Sequence, residues 1–207
     1  MQADTKFWDK VAEKYAKRPV SNPNAYQQTL DRTRSYLGAE DQVLEIGCGT
    51  GSTALVLAPH VARYTASDFS AEMVRIASEK QAAEALPSLH VQQAGADDMV
   101  ADPGTLDAVL AFNLLHLTPD MDAVLRAAHA QLKSGGVLIS KTVCLAHANP
   151  FLRLLLPVMK LFYGIGHVGV FTRDALEERI TAQGFKIVET GDYPAKPPSR
   201  FVVARKI

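Results

Sequence analysis

The stretch Val43–Ala54, VLEIGCGTGSTA, places a short apolar run, a glycine-rich turn and the start of a helix in direct succession. Gly47, Gly49 and Gly51 allow the backbone to turn tightly, and they let a ligand approach the start of the helix closely. Most of what the sequence says about function depends on which ligand this turn holds. The residues on either side of the glycines indicate its chemistry.

Two common phosphate ligands fit this turn poorly. A P-loop would be longer and would end in lysine followed by serine or threonine, and that pair is absent here. The dinucleotide fingerprint would have a third glycine where Ser52 stands. Glu45, at the end of the predicted strand, would repel a pyrophosphate but suits an ammonium or sulfonium group. The turn therefore favours a ligand with a positive centre and disfavours an NAD-dependent oxidoreductase.

An acidic residue closes the next predicted strand. Asp68 ends the run YTASD, roughly twenty residues beyond the turn, where a carboxylate can accept hydrogen bonds from both hydroxyl groups of a ribose. Phe69 follows it and can lie against a flat base. The ligand then has a nucleoside at one end and a cationic, amino-acid-like group at the other. S-adenosyl-L-methionine fits this description.

The rest of the chain alternates short apolar strand patterns with longer helical patterns, which predicts a parallel sheet with helices on both faces. The first five strands are predicted at Val43–Ile46, Arg63–Ser67, His90–Gln93, Ala108–Ala111 and Val137–Lys141. Two further runs, FKIVETGDY and RFVVARK, are joined by the short turn PAKPP, so they need to be antiparallel neighbours. The predicted fold class is α/β: a Rossmann-like, doubly wound, seven-stranded sheet with a C-terminal antiparallel hairpin.

Helices are predicted before and between these strands. They span Thr5–Lys17, Asn24–Leu37, Ser52–Pro59, Ala71–Ala85, Pro119–Leu132 and Arg173–Gln183. Ser70 is predicted to cap the fourth helix, and Thr118, followed by proline at the first helical position, is predicted to cap the fifth. The Ser-Gly-Gly segment at 134–136 is expected to end that fifth helix.

The composition argues against several classes of function. The 207 residues, nearly half of them apolar, are expected to form one domain with a sizeable core. The 22 basic and 22 acidic residues balance, so no net charge favours nucleic acid or an anionic membrane. Cys48 and Cys144 form neither a disulfide framework nor a zinc pattern. Without a signal peptide or an apolar run of membrane-spanning length, a cytoplasmic protein with no metal is expected.

Four motifs together resemble the class I S-adenosylmethionine-dependent methyltransferases: VLEIGCGTG, ASDFSAEMV, QAGADDM and LKSGGVLIS. They look most like the small-molecule methyltransferases that include the quinone-biosynthesis enzymes. The resemblance implies that the methionine end of the cofactor is lined by Glu45, Gly47, Cys48, Gly49 and Gly51. It also implies that Asp68 holds the ribose and that Phe69 and Met73 lie beside the adenosine.

The match to the family is less complete around the adenine. In QAGADDM, Gly95 stands where the family usually has an acidic residue, and Ala96 is next to it. The contact with adenine N6 then falls to Asp97 or to the backbone alone. Asn113, after the fourth strand, is expected beneath the sulfonium, with Leu114 near it.

The N-terminal segment FWDKVAEKYAKRP also resembles the family's cover helix. Tyr15 would then reach over the methionine end of the cofactor, and Phe7 or Trp8 would close the pocket. Alternatively, Phe7, Val11 and Tyr15 are simply the apolar face of a helix. The resemblance makes residues 1–40 cover helices of a single domain that spans 1–207.

A general base is needed only if the methyl acceptor arrives protonated. His116 follows the fourth strand, at the sheet edge where ligands of open α/β folds gather, and is the candidate base. Its alternative role is to cap or pack the following turn. His147 and His167 are further candidates on the substrate side, and Tyr163 could point into the same pocket.

The insert after the fifth strand, expected at residues 144–172, is predicted to set substrate specificity. Within and just after it, the stretch HANPFLRLLLPVMKLFYGIGHVGVFTR, at positions 147–173, is rich in Leu, Phe and Met. Three interpretations stay open: a lid over an apolar substrate, an amphipathic contact with a membrane surface, and core packing or a dimer interface.

Two hypotheses of function follow. The leading one is an enzyme, monomeric or homodimeric, that methylates an O, N or C atom of a small hydrophobic acceptor and leaves S-adenosyl-L-homocysteine. The alternative is a non-catalytic S-adenosylmethionine-binding module that acts as an assembly or regulatory partner. Nucleic acid is not expected as a substrate, because no basic stripe with interleaved aromatic residues is present.

Overall fold

The computed structural model describes residues 2–147, 166–196 and 198–207 of the chain. Their seven strands form one sheet in the order β3-β2-β1-β4-β5-β7-β6. The strands are β1 (Gln42–Ile46), β2 (Arg63–Asp68), β3 (Leu89–Gln93), β4 (Leu106–Phe112), β5 (Leu132–Val143), β6 (Phe185–Asp192) and β7 (Ser199–Lys206). The first five are parallel, whereas β7 is antiparallel to both β5 and β6. The predicted seven-stranded sheet with a C-terminal antiparallel hairpin is confirmed.

Six α-helices of the described ranges cover this sheet. They are α1 (Gln2–Ala16), α2 (Pro23–Arg34), α3 (Ser52–Leu57), α4 (Ala71–Glu84), α5 (Met121–Gln131) and α6 (Arg173–Ala182). Leu30 of α2 and Leu57 of α3 belong to the core on one face, and Leu125 of α5 and Leu176 of α6 belong to the core on the other. Within these ranges, no helix has both the length and the apolar character needed to cross a membrane.

The strand order places a crevice beside β1. The chain passes from β1 to β2 on one side, and it later returns to pair β4 with the other side of β1. Open α/β sheets bind ligands at such a switch point, outside the carboxyl ends of the strands. The glycine turn follows β1 and Asn113 follows β4, so both lie at this point.

The start of α5 differs from the prediction. Asp120 is the N-cap, because its Oδ1 accepts the N–H of Ala123 at 2.9 Å. The Thr118 hydroxyl instead donates to the Leu115 carbonyl at 3.0 Å and so completes the preceding turn. Pro119 therefore comes before the helix, and the predicted start is two residues too early.

The end of α5 differs as well. The helix stops at Gln131, because Leu132 is extended (φ −70°, ψ 142°) and begins β5. Gly135 has a φ of 77° and lies within β5, where the pairing with β4 shifts register between Leu106 and Ala108. The glycines predicted to end the helix instead form an irregularity in the strand.

Candidate active site

The three glycines of the turn all have positive φ angles: 66° at Gly47, 55° at Gly49 and 75° at Gly51. Only glycine adopts this left-handed conformation without a steric penalty, so the predicted need for glycine is confirmed. A Cβ atom at Gly47 would lie 2.6 Å from Cδ1 of Leu114, and one at Gly51 would lie 3.0 Å from Cβ of Ala77. The turn is therefore packed closely between the residues after β4 and helix α4.

Asp68, the last residue of β2, holds this turn in place. The residue is 6% exposed; its Oδ2 accepts the N–H of Gly49, and its Oδ1 accepts the N–H of Ser70, both at 2.9 Å. Burial raises the pKa of Asp68, and the two backbone hydrogen bonds oppose that rise. Each carboxylate oxygen keeps further acceptor capacity, which is available to hydroxyl groups of a ligand.

Helix α1 is attached to the start of α4 by Asp9. Its Oδ1 accepts the Ser70 hydroxyl at 2.6 Å and the N–H of Glu72 at 3.3 Å. A small apolar cluster that contains Ala12 and Met73 joins the same two helices. Because the backbone of Ser70 binds Asp68, the position of α1 is linked to the carboxylate beside the glycine turn.

A cavity of about 590 Å³ opens at the carboxyl ends of β1, β2 and β4. Ten of the residues predicted to bind the cofactor line it: Tyr15, Gly47, Gly49, Asp68, Phe69, Met73, Ala96, Asp97, Asn113 and Leu114. Trp8 of α1 and His167, a predicted substrate residue, line it as well. The fold thus brings distant parts of the sequence together around one space.

Three residues predicted at the cofactor do not line this cavity: Glu45, Cys48 and Gly51. Glu45 is 2% exposed, and its Oε2 accepts the hydroxyl of Tyr64 at 2.8 Å within the core. Burial raises the pKa of Glu45 to about 8, so this carboxyl group is mostly protonated at neutral pH. In this structure Glu45 points into the core, and its expected role at the methionine end of the cofactor stays a prediction.

Cys48 is a small buried residue of the turn. Its N–H donates to the Ser67 carbonyl at 2.9 Å, which ties the turn to β2. Burial raises the pKa of the Cys48 thiol well above its usual value, so the group stays protonated. This agrees with a space-filling role for Cys48 rather than a nucleophilic one.

His116, the predicted general base, does not line the cavity either. It lies in the short helical turn Leu115–Leu117, and its Nδ1 is buried with no hydrogen-bond partner among the described residues. Burial lowers the pKa of His116 to about 4, so the imidazole is neutral at pH 7 and a weak base. Its carbonyl accepts the N–H of Gly169 at 2.6 Å. This geometry favours the packing role for His116.

Part of the predicted substrate side falls outside the described residues. Tyr163 is not described, and neither is the side chain of His147. Of the insert predicted at 144–172, residues 148–165 lie outside the described ranges. In the part of the chain that the structure describes, no group of three or more His, Cys, Asp or Glu side chains could hold a metal ion.

The loop after β3 has a support that sequence reasoning missed. Gln131 of α5 is 1% exposed, and its Oε1 accepts the N–H groups of Val100 and Ala101 at 2.9 and 2.8 Å. Its Nε2 donates to the carbonyls of Asp98 and Ala127 at 3.4 and 3.0 Å. A single glutamine in a helix carries no sequence signal for this role, because its loop partners are 30 to 33 residues away.

Gly95, where the sequence departs from the family pattern, lies in a tight turn. The Gly95 N–H donates to Oδ2 of Asp98 at 2.6 Å, which closes a tight turn. A Cβ atom at position 95 would lie 3.1 Å from that oxygen. Asp97 is exposed and lines the cavity beside this turn, on the side where the resemblance implies the adenine contact.

Comparison with known proteins identifies the family. Residues 17–190 match the family model described as a methyltransferase domain. The chain belongs to this methyltransferase family. The sequence motifs therefore predicted the family correctly.

Relatives of this methyltransferase include proteins named ubiquinone biosynthesis O-methyltransferase. The one from Chromobacterium violaceum is 29% identical over 140 residues, which cover 67% of this chain and 58% of the relative. The one from Xanthomonas campestris pv. campestris is 33% identical over 103 residues, which cover 49% and 43%. The chain spans about half the length of these relatives.

Solved structures share the fold of this methyltransferase. The complex of the Haloferax volcanii Trm112 methyltransferase activator with a methyltransferase gives a TM-score of 0.78 at 15% identity, covering 96% of each chain. Geranyl diphosphate C-methyltransferase from Streptomyces coelicolor A3(2), solved with Mg²⁺, geranyl diphosphate and S-adenosyl-L-homocysteine, gives 0.74 at 12% identity. That match covers 89% of this chain and 79% of the other. At these identities, the likeness shows the fold alone.

Proposed function

We propose that this methyltransferase moves a methyl group from S-adenosyl-L-methionine to an O, N or C atom of a small hydrophobic acceptor and releases S-adenosyl-L-homocysteine. The observation that carries the proposal is the cavity at the carboxyl ends of β1, β2 and β4, where the glycine turn, Asp68 and Asn113 meet. Family membership supports the reaction type, and the relatives named for ubiquinone biosynthesis support a small-molecule acceptor.

The charge of the cavity fits a cationic cofactor. Its described lining contains four aspartates, Asp68, Asp97, Asp98 and Asp120, and neither lysine nor arginine. A sulfonium and an ammonium are stabilised by this field, whereas a pyrophosphate would be repelled. The aspartates thus supply the negative charge that the sequence assigned to Glu45. This charge also disfavours an NAD-dependent oxidoreductase.

Individual residues suit separate parts of the cofactor. Asp68 keeps acceptor capacity for the ribose hydroxyl groups, and Phe69 offers an aromatic surface to the adenine. Asp97 is placed to accept from the adenine amino group. The methionine end would then lie along the glycine turn beneath Tyr15, because a Cβ atom at Gly49 would already lie 3.8 Å from Cε1 of that ring.

When held by the glycine turn and Asp68, the cofactor would supply an activated methyl group and would leave as S-adenosyl-L-homocysteine. The chain contributes alignment and exclusion of water, and orientation of this kind is worth about 7–11 kcal/mol in favourable cases. Phe112, Leu114 and Leu117 give the cavity an apolar wall for the acceptor. His167 lies at the cavity and is better placed than His116 to take a proton from an acceptor.

The proposal keeps the finer expectations from the sequence. In this proposal residues 1–207 form one domain, residues 1–40 are its cover helices, and residues 144–172 are a lid over the acceptor. The alternative is that residues 144–172 contact a membrane surface. The attachment of α1 beside Asp68 supports the cover role. We also expect the protein to be cytoplasmic, to be a monomer or a homodimer, and not to act on nucleic acid.

Ligand-dependent stability tests the pocket. A ligand that binds only the folded state raises stability by RT ln(1 + [L]/Kd), about 2.7 kcal/mol at a hundredfold excess over Kd. S-adenosyl-L-methionine and S-adenosyl-L-homocysteine should raise the Tm, and NAD should not. Asp68→Ala removes the ribose acceptor and should abolish most of the shift. Asp102→Ala, at an exposed position outside the cavity lining, should retain it.

Two results would contradict the proposed pocket: a shift with NAD alone, and equal shifts in the wild type and Asp68→Ala. Turnover then separates the enzyme from the non-catalytic module. The proposal predicts acceptor-dependent formation of S-adenosyl-L-homocysteine within a panel of quinones, phenols and amines. Tight cofactor binding without turnover across that panel would favour the module.

A further inference from the structure

The carboxylate of Asp9, on α1, binds the first turn of α4 from outside that helix. Its Oδ1 accepts the Ser70 hydroxyl at 2.6 Å and the N–H of Glu72 at 3.3 Å. Ser70 is itself the N-cap of α4, and its hydroxyl oxygen accepts the N–H of Met73 at 3.2 Å. The first N–H groups of a helix have no partner within it, and the helix dipole favours a negative charge there. Asp9 therefore adds a second cap to α4 and supplies it from another helix.

Ser70 connects this cap to the predicted ribose site. Its N–H donates to Oδ1 of Asp68 at 2.9 Å while its hydroxyl donates to Asp9, so one residue binds both carboxylates. Ser70 is fully buried, so water does not readily replace either partner. Asp68 lines the cavity and Asp9 does not. A movement of α1 that breaks the contact between Asp9 and Ser70 would therefore reach the cavity through a single residue.

The attachment at Asp9 also determines where the aromatic side chains of α1 lie. Trp8 and Tyr15 both line the cavity, and their ring centroids are 6.2 Å apart. Trp8 packs against the apolar cluster that contains Ala12 and Met73. Because Trp8 is next to Asp9 in the chain, the bond from Asp9 to the start of α4 fixes how α1 covers the cavity.

A second carboxylate of α1 contacts α4 in a different way. Oε1 of Glu13 lies 2.6 Å from a guanidinium nitrogen of Arg75, and the two side chains are 61% and 40% exposed. Water screens such a pair, so it contributes little to stability. Neither residue lines the cavity, and neither forms a hydrogen bond to the Asp68 carboxylate or the Ser70 hydroxyl among the described residues. Glu13 thus joins the same two helices without reaching the cofactor side.

We propose that Asp9 is a positioning residue for methyl transfer: through Ser70, it holds α1 closed over the cofactor and keeps the Asp68 carboxylate directed at the ribose. The inference rests on the proposed function, since the ligand is the cofactor of that reaction. It makes cofactor binding and the closed position of α1 mutually dependent, because coupling between two events is reciprocal. The observed affinity then falls in proportion to the fraction of molecules in which α1 is closed.

The test measures the Kd of S-adenosyl-L-homocysteine by calorimetric titration of the full chain and its variants, each first checked for cooperative unfolding. Asp9→Ala removes the acceptor, whereas Asp9→Asn keeps an oxygen that can accept both hydrogen bonds. Ser70→Ala removes the hydroxyl but keeps the N–H that binds Asp68, and the double variant Asp9→Ala/Ser70→Ala completes a cycle. Glu13→Ala is the matched control, because it breaks the other carboxylate contact between α1 and α4.

Asp9→Ala should raise the Kd about tenfold, the effect of losing a hydrogen bond to a charged group. Glu13→Ala and Asp9→Asn should stay within about twofold of the wild type. In the Ser70→Ala background, Asp9→Ala should change the Kd by less than about twofold, because the hydroxyl through which it acts is absent. Hydrogen exchange gives a separate readout. Saturation with S-adenosyl-L-homocysteine should protect the amides of α1 in the wild type and Glu13→Ala, and much less in Asp9→Ala at equal occupancy.

Several results would overturn the role of Asp9 while leaving the methyltransferase proposal intact. They are a wild-type Kd in Asp9→Ala, equal losses of affinity in Asp9→Ala and Glu13→Ala or in Asp9→Ala and Asp9→Asn, and additive losses in the double variant. The exchange measurement on the wild type needs no variant, and an absence of added protection in α1 on saturation would overturn the coupling by itself. A wild-type protein that fails to bind S-adenosyl-L-homocysteine would overturn the proposed function, and this inference with it.

Discussion

The two sides of the cavity differ in how their buried polar groups are paired. On the cofactor side, formed by the glycine turn, the end of β2 and the loop after β3, Asp68 accepts two backbone N–H groups and Gln131 makes four hydrogen bonds. On the acceptor side, formed by the turn after β4 and the carboxyl half of β5, three buried atoms lack a partner among the described residues: His116 Nδ1, Ser140 Oγ and Thr142 Oγ1.

The difference separates a region with paired polar groups from a region with unpaired ones. A buried donor or acceptor without a partner costs about 1–3 kcal/mol, so polar groups that only maintain a shape are normally paired. The cofactor side is therefore pre-organised for a ligand of fixed structure. The acceptor side instead contains unpaired buried groups, and none of these three residues lines the cavity.

The largest effect should come from filling the glycine turn on the pre-organised side. A Cβ atom at Gly51 would lie 3.0 Å from Cβ and 3.4 Å from Cα of Ala77, and neither atom of α4 can rotate away. Gly51→Ala should lower the free energy of unfolding by about 2–5 kcal/mol, of which about 1–2 comes from the left-handed backbone and about 1–3 from overpacking. Chemical denaturation measures the loss, and affinity for S-adenosyl-L-homocysteine should fall as well.

Gly104→Ala is the matched control for this change. Gly104 has a φ of 69°, but apart from its chain neighbours no described atom lies within 4 Å of an added Cβ. The variant should lose only the backbone contribution of about 1–2 kcal/mol and should keep its ligand affinity. Equal losses in the two variants would mean that close packing does not hold the turn, and the contrast between the two sides would weaken.

A smaller effect is expected from the loop after β3. Gln131→Leu leaves the N–H groups of Val100 and Ala101 without their acceptor and should cost about 1–3 kcal/mol of stability. Affinity for S-adenosyl-L-homocysteine should also fall, because the loop carries Asp97. Gln28→Leu, at an exposed position of α2, should change stability by less than about 0.5 kcal/mol. Unchanged ligand affinity in Gln131→Leu would show that the loop does not depend on this side chain.

A buried acid and a buried base next to the cavity should give pH slopes of stability with opposite sign, each at most about 1.4 kcal/mol per pH unit. Burial raises the pKa of Glu45 from 4.5 to about 8, so its contribution to stability falls as the pH rises between these values. Burial lowers the pKa of His116 from 6.5 to about 4, so its contribution is lost as the pH falls between these values.

Chemical denaturation across this pH range measures the sign of each stability slope. Stability of the wild type relative to Glu45→Gln should decline with rising pH, and stability relative to His116→Gln should increase. A flat difference curve for either variant would show that the group titrates equally in the folded and unfolded states. The burial assigned to that side chain would then be wrong.

Much of the cofactor side could be predicted from the sequence, because its pattern is local. The glycine turn and Asp68 each end a short strand, and strand ends meet at one edge of a parallel sheet. The start of α5 was predicted wrongly because Thr118 and Asp120 are both suitable caps, and the Thr118 hydroxyl is used by the preceding turn. The direction of Glu45 depends on the Tyr64 hydroxyl of the adjacent strand, which the sequence does not place.

The acceptor side could not be predicted in the same way. A lysine at the end of an apolar strand pattern, such as Lys141, ordinarily extends into solvent. Its burial depends on Phe112 and Phe201, which come from strands far apart in sequence. The support from Gln131 was missed for the same reason, since its loop partners are distant along the chain.

The central claim is that the pre-organised side of the cavity binds the methyl donor through Asp68. A crystal structure of the chain with S-adenosyl-L-homocysteine tests it most directly. We predict that the ribose hydroxyl groups donate to the Asp68 carboxylate, that the adenine lies against Phe69, and that the sulfur lies beside the glycine turn. Binding at another place on the protein, or in the cavity without contact to Asp68, would contradict the claim.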